Sequence, residues 1–320
     1  MSPIATTSDA RRSAGLALCL LSAVGFGLMA IFAKEAYGAG LGVTALLAAR
    51  FVLAASLFWA IVAVRGRLRS RATGDSAARP PWRVALACLA LGGVGYAAQA
   101  GLFFSALEHI DASLTSLLLY TYPALVFCGA VALGREHVTP WKAAALALAS
   151  AGAALVLLGG GTRGLEATGV LLALGAGVTY AVYILVAEDV VRRIDPILLG
   201  AFVATGAALT FVLAGAIGGA LAFTAGGWLW IAAIATLSTV LPIVTFMLGM
   251  ERVGASTASI VSTFEPVVTV ALAVALYGES LGPWQALGGA LVLAAVIALQ
   301  LRGARTRAPT RTALAHESVG

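Results

Sequence analysis

The chain has 320 residues, of which 61% are hydrophobic and only 11% charged. Soluble domains average about 25% charged residues, so a water-soluble fold of this length is excluded. The net charge of +6 does not signal nucleic acid, because the basic residues are distributed as the positive-inside rule distributes them in a membrane protein.

Ten apolar stretches of about twenty residues, each long enough to span a bilayer as a helix, are expected in chain order. Residues 1–12 form a short polar tail. Span one runs from Ser13 to Ala33 and span two from Val43 to Val64, followed by an Arg-rich flexible loop from Arg65 to Pro81. Span three covers Trp82 to Leu107, span four Ala112 to Leu133, and span five Trp141 to Leu158. Gly159-Gly160-Gly161 then breaks the helix and marks a boundary. Five further spans follow over Gly169–Ala187, Pro196–Ile217, Trp228–Met250, Ala255–Tyr277 and Trp284–Leu301. Residues from Gly303 onward are polar and are expected to be disordered. Trp82, Trp141, Trp228 and Trp284 stand at span starts, where indoles favour the membrane interface. Glycines such as Gly92-Gly93 and Gly175 read as sites of close helix approach, which in lipid depends on small residues.

With Arg11 and Arg12 in the cytoplasm, ten spans place the Arg65–Arg83 cluster, Arg135, Lys142, Arg192-Arg193, Arg252 and the C-terminal arginines on the same side. Only Lys34 and Arg163 fall outside. Both termini are therefore expected to be cytoplasmic.

The two sets of five spans are related. Glu108-His109-Ile110-Asp111-Ala112-Ser113 aligns with Glu251-Arg252-Val253-Gly254-Ala255-Ser256. Without a gap, Ser116 then matches Ser259, Pro123 matches Pro266, Glu136 matches Glu279, and Pro140-Trp141 matches Pro283-Trp284. An odd number of spans per repeat inverts the second copy, an architecture recurrent in secondary transporters. The expected fold is thus an all-α integral membrane protein with ten transmembrane helices in two inverted five-helix repeats, 13–160 and 161–302, flanked by tails 1–12 and 303–320.

Two charges lie deep in spans, where each costs at least ~2.5 kcal/mol. Arg50 is in span two and Glu265 in span nine, at depths that allow a direct or water-bridged pair. A structural ion pair and a substrate or proton site are both consistent with that placement. Span nine also carries Ser256, Ser259, Ser262 and Thr263 before Glu265-Pro266. Span four repeats the design with Ser113, Ser116, Tyr120 and Pro123. Pro123 and Pro266 are expected hinges, kinking their helices and freeing carbonyls. Tyr96, Gln99, Tyr180, Tyr183 and Thr245 are further candidates to line a pocket. Tyr122 stands at the position equivalent to Glu265.

The membrane region resembles the EamA-type families of the drug/metabolite transporter superfamily. The resemblance rests on Thr115-Ser116 through Tyr122-Pro123 with Gly134-Arg135-Glu136, on Glu265-Pro266-Val267-Val268 with Tyr277-Gly278-Glu279-Ser280-Leu281, and on Arg50 within Ala48-Ala49-Arg50-Phe51-Val52. The inserted Arg135 departs from the usual Gly-Glu pair. The resemblance implies a central cavity lined by spans three, four, eight and nine, alternating access by a monomer or weak homodimer, and export of amino acids, related metabolites or drugs. It also implies that Glu136 and Glu279 are helix-end caps or gate elements.

The expected function is a plasma-membrane secondary transporter, an exporter of a small polar or zwitterionic solute, with the proton as a candidate coupling ion at Glu265. The expected site comprises Glu265, Arg50, Ser259, Ser262, Thr263, Ser116, Tyr120, Tyr96, Gln99 and Tyr183. An exchanger of phosphorylated sugars or nucleotide-sugars would want several intramembrane cations, and only Arg50 is available. A non-transporting scaffold or channel is the other alternative. His109, His137 and His316 are too scattered for a metal site, and Cys19, Cys88 and Cys128 read as buried packing residues. No nucleotide-binding loop, catalytic constellation or cofactor motif is present in the sequence.

Overall fold

The computed structural model describes residues 3–73, 80–158, 166–191 and 194–306. The triglycine boundary, Arg163, Arg192-Arg193, the centre of the Arg-rich segment and residues 307–320 lie outside the described residues, as do the side chains of Ser256 and Ser259. Every regular element described is helical: α1 Pro3–Gly38, α2 Val43–Thr73, α3 Trp82–Ala90, a π-helical turn Leu91–Tyr96, α4 Ala97–Ala106, α5 Ala112–Leu119, α6 Tyr122–Ala132 and α7 Pro140–Leu158. The second half continues with α8 Ala167–Val191, α9 Pro196–Gly218, α10 Gly227–Ala235, a π-helical turn Thr236–Val240, α11 Leu241–Val253, α12 Ala255–Ser262, α13 Glu265–Tyr277 and α14 Pro283–Thr306.

Local chemistry sets these boundaries. Pro140, Pro196 and Pro283 open α7, α9 and α14, where the missing N–H is an orphan in any case. Asp195 caps α9 by accepting from the amides of Ile197 and Leu198, as N-cap carboxylates do. Gly219 and Gly278 end α9 and α13 at φ of 65° and 64°, a left-handed conformation that costs glycine little.

Eight helical segments among the described residues are long and apolar enough to cross a membrane, and Pro140–Val156 and Pro283–Ala298 are shorter apolar helices. Large apolar side chains such as Val94, Leu171 and Ile217, the last 87% exposed, point away from the protein. In water such a surface would be an aggregation hazard; against lipid it is the expected solvent-facing surface. The main helix pairs are α2 with α9, α7 with α14, and α1 with α11. Gly152 and Gly288 face each other across α7 and α14, and a Cβ on either would strike the other's carbonyl. Gly206 of α9 likewise lies against the Leu89 carbonyl at the end of α3. These contacts agree with the small-residue reading.

Several expectations need correction. Helix α1 begins at Pro3, so the polar tail expected over residues 1–12 is helical from that residue on. The first part of the supposed flexible loop continues α2 to Thr73, and α14 runs past Gly303 to Thr306. Short runs of Arg, Ala and Leu are good helix formers, so polarity there ends the span without ending the helix. Cys128 is exposed on α6, unlike the buried Cys19 and Cys88.

The largest differences are inside the spans. Spans four and nine are not continuous kinked helices; each is two helices joined by one tight turn, at Tyr120-Thr121 and at Thr263-Phe264. Pro123 and Pro266 are the second residues of α6 and α13. They restart a helix instead of bending one, because their missing N–H falls where no intrahelical bond is required. Spans three and eight each contain a π-helical turn. The carbonyl of Gly93 in the first of these accepts from the Thr210 hydroxyl of α9 at 2.6 Å, satisfying a group that the wider turn leaves exposed.

Candidate functional site

The four helix ends created by the two breaks meet near the centre of the molecule, beside a cavity of about 100 Å³. Arg50 enters it from α2, Tyr96 and Gln99 from span three, Ser116 from α5, Tyr120 and Tyr122 from the first break, and Glu265 and Thr269 from α13. Phe26 and Met29 of α1, Phe103 and Phe104 of α4, Leu119 of α5 and Tyr180 of α8 supply most of the apolar wall. A mostly apolar and aromatic hollow with a few convergent polar groups is the usual form of a small-molecule site.

Arg50 is only 1% exposed. Its Nε donates to Thr239 Oγ1 at 3.1 Å, from the π-helical turn of span eight. Its guanidinium lies over the rings of Phe51 and Phe104, 4.7 and 5.0 Å from their centroids. The two terminal nitrogens, Nη1 and Nη2, have no hydrogen-bond partner among the described residues. Guanidinium groups normally meet carboxylates or phosphates through that fork, and a buried one with empty donors is costly.

Glu265 is the first residue of α13. Its Oε2 accepts from the Tyr120 hydroxyl at 3.0 Å, and the same hydroxyl lies 3.1 Å from the Ser262 carbonyl. That carbonyl is freed by the break between α12 and α13. Arg50 and Glu265 line the same cavity but form no ion pair with one another. Among the described residues the cavity therefore presents a guanidinium bonded through Nε to Thr239 with its two terminal nitrogens open, and a carboxylate that accepts from the Tyr120 hydroxyl. Tyr122 and Tyr180 pack with their rings tilted, centroids 4.6 Å apart, and Tyr120 meets Tyr122 edge to face at 5.9 Å, building an aromatic wall at the carboxylate end.

Of the other expected residues, Tyr96, Gln99 and Ser116 line the cavity. Ser262 and Thr263 do not: their hydroxyls bond back to the carbonyls of Ala258 and Ile260 in their own helix. Thr245 does the same toward Leu241 and Pro242. This is the ordinary fate of hydroxyls in apolar helices. Tyr183 stands behind the wall, packed on Tyr96 and Tyr180. The side chain of Ser259 lies outside the described residues. The expected lining by span eight is corrected: among the described residues that span supplies Thr239, which holds Arg50, while spans one, two and six supply wall residues. Phe26, Met29, Phe103 and Phe104 were missed because an apolar residue facing a cavity and one facing lipid look alike in sequence. Tyr122 was detectable, since it is the repeat counterpart of Glu265.

At the end of the molecule where α1 stops, Glu279 follows α13 and reaches the start of α5. Its carboxylate accepts from the amides of Ala112 and Ser113 at 3.1 and 3.0 Å, from Ser113 Oγ at 2.7 Å, and from Lys34 Nζ at 3.1 Å. Partial burial alone would raise the Glu279 carboxyl, but the Ser113 hydrogen bonds and Lys34 outweigh it and hold it below the usual carboxylate range. Asp111 beside it is pushed up by burial and by the Glu279 charge. The expectation of a helix-end cap at Glu279 thus has a concrete partner. Glu136 instead meets Lys142. Among the described residues no group of three or more metal-ligating side chains occurs.

A multi-pass helical membrane protein with a central amphipathic cavity is the architecture of a small-solute transporter. The sequence comparisons agree: the model of the EamA-like transporter family matches residues 13–158 and again 167–300. The chain belongs to this family, within the drug/metabolite transporter superfamily. It is 27% identical over 312 residues to the uncharacterized transporter YcbK of Bacillus subtilis, covering 92% of this chain and 95% of that one. It is 29% identical over 233 residues to the threonine/homoserine exporter RhtA of Escherichia coli, covering 67% of this chain and 73% of the relative. A solved crystal structure superposes with a TM-score of 0.61 over 92% of this chain and 99% of that chain at 22% identity, a likeness of fold alone.

Proposed function

We propose that this transporter is a secondary exporter of a small zwitterionic metabolite, an amino acid or a close relative, working by alternating access in the plasma membrane. The observation that carries the reading is the pair of complementary groups facing one cavity: the open guanidinium fork of Arg50 and the carboxylate of Glu265. A carboxylate on the solute satisfies Nη1 and Nη2, and an ammonium meets Glu265 and the Tyr120 hydroxyl. Ser116 and Gln99 supply further hydrogen bonds. The likeness to RhtA, a threonine/homoserine exporter, supports the amino-acid class. In this reading the membrane region is ten spans in two inverted repeats, 13–160 and 161–302, with both termini cytoplasmic. Glu265 also carries the coupling proton when the solute has left.

Arg50 is the single cation lining the cavity among the described residues, which argues against a phosphorylated-sugar exchanger, whose substrate would need several. Reconstitution in proteoliposomes tests the proposal. Counterflow of radiolabelled amino acids, with Arg50→Ala and Glu265→Gln as controls, is expected to show uptake by wild type and at least about tenfold less by Arg50→Ala. Equal uptake by wild type and both variants would remove the charges from the site.

A further inference from the structure

Glu279 and Glu136 occupy equivalent places in the two sequence repeats, yet they do different things. Glu279 is 6% exposed and joins the end of α13 to the first amides of α5. The N-cap residue of α5, Asp111, makes no side-chain capping bond of its own. The carboxylate from the other half of the molecule has taken that role, and it also meets the positive end of the helix dipole. Helix α5 packs along α13 at this end. Glu136 is 43% exposed and bonds to Lys142, six residues away on its own side of the turn. No comparable packing joins α6 to α12. The sequence nevertheless offers Glu136 the same target: Ala255-Ser256 opens α12 as Ala112-Ser113 opens α5, and Gly254 before it provides no side-chain cap.

We propose that Glu279 and Glu136 are two alternating latches on the cavity. In the conformation described, Glu279 holds the N-terminus of α5 and closes the Lys34 end, while Glu136 at its own end is bonded to Lys142. In the opposite state Glu279 lets go, and Glu136 leaves Lys142 to take the first amides of α12, those of Ala255 and Ser256. The inference rests on the alternating-access reading and adds the groups that make the two states nearly equal in energy. Near-equality is needed because a solute can shift a conformational equilibrium only by its differential affinity for the two states. Each state gains one set of charge-assisted bonds to a helix N-terminus and loses the other. Lys34 adds a cation only to the Glu279 latch, and Lys142 holds the Glu136 latch in reserve, so the balance tips toward the conformation described.

The test uses the full chain in membranes with Cys19, Cys88 and Cys128 replaced by Ala and Ala100→Cys placed in the cavity wall. Labelling by a membrane-impermeant maleimide is compared between intact cells and inside-out vesicles. The latch-intact protein is expected to label mainly from the side bearing Glu136. Glu279→Gln shifts the ratio of the two labelling rates about tenfold toward the Lys34 side. Glu136→Gln shifts it the other way, and the double variant returns to within about threefold of the start. Ser113→Ala gives a smaller shift in the same sense as Glu279→Gln, and it carries the test if a glutamate variant fails to fold. Shifts in one common direction, or none, overturn the proposal. Labelling reads conformation without any solute, so opposed shifts in a protein that moves no solute would sink the transport reading and leave the latches standing. Transport with unmoved labelling would do the reverse.

Discussion

The broken helices of spans four and nine share one backbone design and differ in chemistry. Both stop at a tight turn closed by hydrogen bonds to the carbonyl three residues back, and both restart with proline in the second helical position. The turn in span four points aromatic hydroxyls, Tyr120 and Tyr122, into the cavity; that in span nine points Glu265. Backbone geometry was repeated while side chains diverged. The lesson is that the break is the scaffold's device for opening a cavity, and that specificity depends on the residues mounted on it.

The sharpest way to break this comparison is to remove the cation opposite both turns. Arg50→Ala is expected to cut transport affinity by about ten- to a hundredfold, because a charge-assisted pair is worth about 1.5–3 kcal/mol. Isothermal binding to purified protein checks it. If the scaffold rather than the site is at stake, Gly288→Leu should destabilise by about 2 kcal/mol through overpacking against Gly152, read as a lowered melting midpoint in detergent. Glu265→Gln should abolish the pH dependence of transport and lower its rate by about tenfold, seen in vesicles with and without a proton gradient. Tyr120→Phe removes the hydroxyl that links the two turns and should weaken substrate binding by about fivefold; an unchanged affinity would mean the turns act independently.

The smallest effect concerns the Glu279 latch and pH. The depressed Glu279 pKa makes its contact fully present above the ordinary carboxylate value of about 4.3 and lost only as pH falls through the lower bound-state value. Lys34, Glu35, Tyr37, Glu108, His109, Asp111, Glu166 and Tyr277 are further titratable groups at this end among the described residues. Cavity labelling from the two sides is therefore expected to keep the same ratio between pH 8 and pH 5.5. A drift within that window would show that a group other than Glu279 controls closure.

How much was legible beforehand depended on the kind of signal. Glu265 and Arg50 stood out because a charge in an apolar span has no cheap explanation, and both reach the cavity. Ser262 and Thr263 looked equally good on a helical wheel but turn back on their own carbonyls, since a hydroxyl carries its own local partner with it. The prolines announced a disturbance without its form. A kink and a restart demand the same residue, and only the neighbours that receive the two helix ends decide between them.

The order of apolar segments, the paired motifs and the intramembrane charges were set by composition along the chain, because transfer into lipid is a local, additive cost. The π-helical turns, the broken helices, the missing Arg50–Glu265 pair and the unequal roles of Glu136 and Glu279 were decided by packing. These features depend on which carbonyl, amide or ring another helix presents at a given depth, and no periodicity within one segment encodes that.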